Sequence, residues 1–207
     1  MDEADSRNGN GDGELTEQER ELLRKIQEQR AKLAEYWAAE EARQLSAIEE
    51  YTRKIEAQSY IWVHYHSRAR VYMEMERYEE AVADLTRAIE IEDEDAPGYL
   101  YGARGAAYLG MERYEDAIED LDEAIARDSD EWTSYYGDRG TAKLGLKRYE
   151  EAIADLTRAL VYNAGDEDYY RARGAAYLAL EMDAAADADF EKARELAEMS
   201  EWDWDLD

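Results

Sequence analysis

The chain has no cysteine, which removes disulfides, thiolate metal sites and thiol nucleophiles together. It has one proline, so almost nothing forces a helix to stop, and glycine is sparse at twelve residues. With Ala, Glu, Arg and Leu abundant, this composition predicts an all-α chain. No run approaches the ~18 apolar residues of a membrane span. The opening Met-Asp-Glu-Ala-Asp lacks the basic and apolar regions of a secretory signal, so a cytoplasmic location is expected. The only histidines, His64 and His66, lie two apart on a helical stretch and face different sides. No phosphate loop, metal-ligand spacing or Ser–His–acid set is present, and the chain is expected not to be an enzyme.

Negative charge is in excess, at a formal −28. Such a surface repels phosphate backbones, and no basic stripe offsets it, so nucleic acid is not an expected partner. A basic or apolar protein partner, or a cation, suits it better. Lysine is limited to Lys25, Lys32, Lys54, Lys143, Lys147 and Lys192. High acidity with little lysine also fits a high-salt habitat, where screening relieves self-repulsion.

Four segments align: "RYEEAVADLTRAIE" from Arg77, "RYEDAIEDLDEAIA" from Arg113, "RYEEAIADLTRALV" from Arg148 and "MDAAADADFEKARE" from Met182. Each follows a second amphipathic stretch, and Ala81, Ala117, Ala152 and Ala186 are 36, 35 and 34 residues apart. Two helices per unit at this period predict an α-solenoid. Small residues recur midway along the first helix (Ala69, Gly105, Gly140, Gly174). They recur again in the second (Ala81, Ala117, Ala152, Ala186, then Ala88, Ala124, Ala159, Ala193). Leu85, Leu121, Leu156 and Phe190 stand between the latter two sets. Small residues let helices approach closely, and the large ones fill the remaining gap. Arg68, Arg104, Arg139 and Arg173 are each matched by an acid sixteen residues on, namely Asp84, Asp120, Asp155 and Asp189, which predicts bidentate pairs between packed helices.

Over residues ~60 to 198 this pattern resembles the tetratricopeptide repeat. Tyr65, Tyr101, Tyr136 and Tyr170 replace the family's tryptophan, and Lys143 stands where Tyr72, Tyr108 and Tyr177 are aromatic. The resemblance implies a right-handed superhelix whose first helices line a concave, partner-binding face. The positions that would line it are His66, Arg70, Gly102, Ala106, Gly137, Thr141, Arg171 and Ala175, with Tyr99, Tyr135 and Tyr169 near its edges. The lysine and asparagine clamp that some members use for a terminal carboxylate is missing. A groove floored with Gly and Ala suits a bulky or apolar segment.

Residues 15–58 are expected to form a long N-terminal helix, read as a capping helix on a degenerate repeat. "SAIEEYTRKIE" from Ser46 repeats "EAVADLTRAIE" from Glu80, and Leu22, Ile26, Leu33 and Trp37 form an apolar stripe before it. A coiled-coil dimerisation arm is the alternative, although Glu19, Arg30 and Glu41 interrupt clean heptads.

Residues 1–19 form a polar tail containing "NGNGDGELTEQE". Oxygen-bearing groups at Asn8, Asn10, Asp12, Glu14 (through its carbonyl), Thr16 and Glu19, with Gly13 at the turn, resemble an EF-hand calcium loop. Asn8 replaces the usual first aspartate, so weak calcium binding is the expectation. The alternative is a capping box between Thr16 and Glu19. At the other end, Trp202, Trp204 and Leu206 alternate with Asp203, Asp205 and Asp207 in an acidic tail over residues 199–207, which predicts an extended segment.

The expected function is a non-catalytic scaffold for protein–protein interaction, possible calcium control included. Its alternatives are a structural or self-assembling subunit, a homo-oligomer among them, and a calcium-binding module.

Overall fold

The computed structural model describes residues 16–57, 61–128 and 134–202. All regular elements among them are helical: α1 (Glu17–Glu56), α2 (Ile61–Glu74), α3 (Tyr78–Glu92), α4 (Gly98–Gly110), α5 (Tyr114–Asp128), α6 (Ser134–Gly145), α7 (Tyr149–Tyr162), α8 (Glu167–Ala179) and α9 (Asp183–Trp202), with a short 3₁₀ turn at Asp93–Asp95. The chain divides into two compact units, up to Leu45 and from Ser46.

In the second unit each first helix packs on its own second helix, in the pairs α2/α3, α4/α5, α6/α7 and α8/α9. Each second helix then packs on the next first helix, as an α-solenoid requires. The alternating small and large residues explain the pairing. Ala81, Ala88, Ala117, Ala124, Ala152 and Ala159 are fully buried, as are Leu85, Leu121 and Leu156 between them. Gly105, Gly140 and Gly174 face Leu121, Leu156 and Phe190 so closely that a Cβ would lie within 3 Å of the facing side chain.

All four Arg–Asp pairs form, each through two hydrogen bonds. Nε and Nη2 of Arg68 donate to Asp84 at 2.7 and 2.7 Å. The other three, Arg104 to Asp120, Arg139 to Asp155 and Arg173 to Asp189, lie between 2.7 and 2.8 Å. The remaining Nη1 reaches back to the preceding second helix, to Thr86, Asp122 or Thr157. For Arg68 the acceptor is Thr52 of α1, at 2.8 Å. The last turns of α1 therefore serve the first repeat as a second helix would. Tyr65, Tyr101, Tyr136 and Tyr170 lie against these arginines, with guanidinium-to-ring distances of 5.6, 5.7, 5.2 and 5.5 Å. Each ring therefore makes a cation–π contact with the arginine of its own helix.

Lys143, the departure from the aromatic position, gives Asp155 a second cation at 2.7 Å. Burial alone would raise the Asp155 carboxyl, but the bonds from Arg139 and Lys143 hold it below its usual range.

The turn inside each pair closes by a backbone bond across five residues, as from Arg77 to Tyr72 and from Arg113 to Tyr108. Glu76, Glu112, Lys147 and Glu181 occupy its left-handed position, a place glycine normally takes.

At the N-terminus, α1 is one uninterrupted helix of 40 residues, running through both the expected capping segment and the repeat-like segment from Ser46. Nothing between Ala39 and Ser46 breaks a helix, because neither glycine nor proline occurs there. At the other end α9 runs three residues beyond Met199 to Trp202, so the acidic tail begins as a continuation of the helix rather than as an extended segment. Trp204 and Leu206 lie outside the described residues.

Candidate functional site

The first helices bring the sequence-named residues into successive register, but not as an open groove floor. A Cβ on Gly102 would lie 2.2 Å from the Tyr135 ring, and one on Gly137 would lie 2.2 Å from the Tyr169 ring. Both glycines are buried under the tyrosine of the next first helix. In the first repeat His66 takes this place, with its ring 5.2 Å from that of Tyr99. The tyrosines are thus spacers between adjacent first helices, and Gly102 and Gly137 are their seats. A missing Cβ allows a ring to lie directly on helix backbone.

Tyr135 is further fixed by donating to Asp128 Oδ2 at 3.0 Å, while the Gly98 amide donates to Oδ1 of the same carboxylate. Burial, then the bond to Asp128, pushes the Tyr135 hydroxyl well above its usual range. Burial and the charge of Asp138 do the same to Tyr169. His66 is shifted down by burial and by the charge of Arg70, which favours its neutral form. His64 lies against Tyr51 instead, so the two histidines do point apart.

What remains accessible is a stripe one turn further along. Arg70 is exposed, and Ala106, Thr141 and Ala175 are half-buried. Three residues after each comes an apolar side chain: Met73, Leu109, Leu144 and Leu178. Residues three apart share a helix face, so each first helix presents a small or polar residue beside an apolar one. Leu178, in the last first helix, is 55% exposed. This second row was missed from the sequence, although its recurrence every 36, 35 and 34 residues was there to find. Arg171 is exposed and tied to Glu167 and Asp168 of its own helix, at 2.9 and 2.8 Å.

Asp138 was also missed. It stands on α6 where the neighbouring repeats carry Ala103 and Ala172. Burial and the charge of Asp166 raise its carboxyl from 3.8 to about 6. An acid with a raised folded-state value binds protons more tightly folded than unfolded, so its contribution to stability falls as pH climbs from about 4 to about 6. Asp138→Asn is therefore expected to stabilise the protein at pH 7 by about 1–2 kcal/mol, after allowing for solvent screening. It should have no effect at pH 3.5. Equal thermal shifts at both pH values would remove the charge argument.

Of the calcium-loop residues, Asn8, Asn10, Asp12 and Glu14 lie outside the described residues. Thr16 and Glu19 form the capping box. Glu19 Oε2 accepts from the Thr16 amide at 2.7 Å and its hydroxyl at 2.9 Å, and Thr16 Oγ1 accepts from the Glu19 amide at 3.3 Å. These bonds hold the Glu19 carboxyl below its usual range. Among the described residues no cluster of three or more His, Asp or Glu side chains could hold a metal ion, and no helix is long and apolar enough to cross a membrane.

A family model described as "Tetratricopeptide repeat" matches residues 65–95, 99–131 and 133–165. The fourth pair, α8 and α9, lies beyond those matches but carries the same Arg173–Asp189 bond. Among solved structures, one titled "Crystal structure of MamA" is 20% identical, with a TM-score of 0.64 over 74% of this chain and 88% of that one. A second, "MamA 41-end from Desulfovibrio magneticus RS-1", is 17% identical, with a TM-score of 0.67 over 82% of this chain and 96% of that one. A third, "Crystal structure of YrrB: a TPR protein with an unusual peptide-binding site", is 20% identical, with a TM-score of 0.62 over 76% of this chain and 80% of that one. No curated protein matches the sequence.

Proposed function

We propose that this chain, whose residues 65–95, 99–131 and 133–165 match the tetratricopeptide-repeat model, is a non-catalytic scaffold whose first helices hold a segment of another protein. The observation that carries this reading is the double row on consecutive first helices. Ala106, Thr141 and Ala175 recur beside Leu109, Leu144 and Leu178, a small-and-apolar track that suits an apolar segment. Ala106, Thr141 and Ala175 are among the groove positions named from the sequence, whereas Gly102 and Gly137, also named there, are roofed by tyrosines. A charge of −28 and the half-buried Asp138 favour a segment that carries cations beside its apolar residues. YrrB is described as a TPR protein with an unusual peptide-binding site, and a peptide ligand is extended to this chain as part of the proposal.

The test uses peptides selected from a random displayed library on the immobilised full chain. Ala106→Arg places a long cation in the track and is expected to weaken the selected peptides at least tenfold. Glu119→Arg, an exposed site on α5, should change their affinity less than twofold. Peptides insensitive to Ala106→Arg but lost with Glu119→Arg would place binding on the second helices and overturn the proposal.

A further inference from the structure

The first unit presents a helix without a partner. α1 has no buried residue along its 40 positions, and its apolar stripe is open: Leu22 is 58%, Ile26 38%, Leu33 55% and Trp37 60% exposed. Leu22 to Leu33 and Ile26 to Trp37 are both eleven residues apart, a period of ~3.67 that keeps the stripe on one face of a nearly straight helix. This is why heptads fit it poorly. Tyr36 and Leu45, at 61% and 43% exposure, flank the stripe. An amphipathic face of about 24 residues, roughly 36 Å long, is a surface that soluble proteins normally cover.

Charge along α1 indicates what covers it. Residues 20–32 hold five cations (Arg20, Arg24, Lys25, Arg30, Lys32) and two anions (Glu21, Glu28). Residues 35–45 hold three anions (Glu35, Glu40, Glu41) and one cation, Arg43, which is tied to Glu40 at 2.6 Å. Arg30, Lys32 and Glu41 make no ion pair among the described residues. A basic segment followed by an acidic one, on the same helix, is complementary to its own reverse.

We propose that two copies of this chain pair through α1, antiparallel, about a two-fold axis near Glu35. In that arrangement Leu33 of one copy meets Trp37 of the other, and Leu23 meets Leu45. Arg30 faces Glu41 on one flank of the stripe. Each contact occurs twice, as an isologous interface demands. Parallel pairing would set the basic segments side by side and the acidic segments side by side, at a Coulombic cost. The pairing uses none of the residues of the first-helix track, so it stands or falls apart from the peptide-binding reading.

Light scattering behind size-exclusion chromatography of the full chain is expected to give twice the 24.0 kDa chain mass at tens of micromolar. Leu33→Asp with Trp37→Asp should return it to one chain mass while the melting of the repeats is kept. Arg30→Glu should weaken association at least tenfold, and Arg30→Glu with Glu41→Arg should restore it. Direction is read by single cysteines in this cysteine-free chain. Ala34→Cys, beside the axis, should form a disulfide-linked dimer under oxidation. Gln29→Cys should not, because its mate lies about 18 Å away, against the ~4 Å between Cβ atoms that a disulfide needs. A single chain mass at all concentrations overturns the proposal. So does a dimer that survives Leu33→Asp with Trp37→Asp, and so does equal cross-linking at both cysteines, which would mean parallel pairing.

Discussion

Gly140→Leu is expected to lower stability by about 3 kcal/mol or more. The new Cβ alone would lie 2.7 Å from Leu156 Cγ and 3.2 Å from the Leu156 backbone nitrogen. A leucine side chain could relax the first of these, but the second is helix backbone and moves only if α6 and α7 separate. Removing a helical glycine returns about 1 kcal/mol of backbone propensity, too little to offset the wedge. In a domain of this size the net loss is a fall in Tm of roughly 6–12 °C. The third repeat is internal, so its loosening also uncouples the fourth from the second. Gly165→Ala is the control, since its Cβ would meet nothing nearer than Asn163 Oδ1 at 3.7 Å. A Gly140→Leu melt matching the parent would mean that α6 and α7 do not pack as described.

Arg104→Met should cost at least as much, about 3–5 kcal/mol, for a different reason. Asp120 is 6% exposed and receives two bonds from Arg104, at 2.7 and 2.8 Å. Removing the guanidinium leaves a buried carboxylate without its cation, and also takes away the bond to Thr86 that ties α4 to the preceding repeat. The paired substitution Arg104→Met with Asp120→Leu should recover most of the loss, because a buried ion pair and an apolar pair of similar volume are often close in free energy. The pair then contributes register more than net stability. Denaturant midpoints of the two variants decide this. A double variant as unstable as the single one would mean that the salt bridge is itself a large source of stability.

The parts of the fold that depend on neighbours within one helix pair were readable in the sequence. Ala81 and Ala88 bracket Leu85 because that spacing puts them on one helix face, and the same rule repeats in every unit. The sixteen-residue Arg–Asp interval was also enough to predict the bidentate pairs. What depends on the next repeat was harder to see. Tyr135 covers Gly102 from 33 residues away, and Tyr169 covers Gly137 from 32, so the residues that looked like a groove floor became packing seats. The third bond of each arginine belongs to the same class, although Thr52, Thr86 and Thr157 stand in a repeating frame with Asp122. Within α1 neither glycine nor proline occurs between Glu17 and Glu56, so nothing in the sequence stops the helix.

The most direct test of the scaffold reading is hydrogen–deuterium exchange on the full chain with and without a saturating selected peptide. Binding to the first-helix track predicts slowed exchange in α4, α6 and α8, centred on the turns carrying Ala106–Leu109, Thr141–Leu144 and Ala175–Leu178, with α5 and α7 unchanged. Protection concentrated in α5 and α7, with the first helices exchanging as in the free chain, would contradict it.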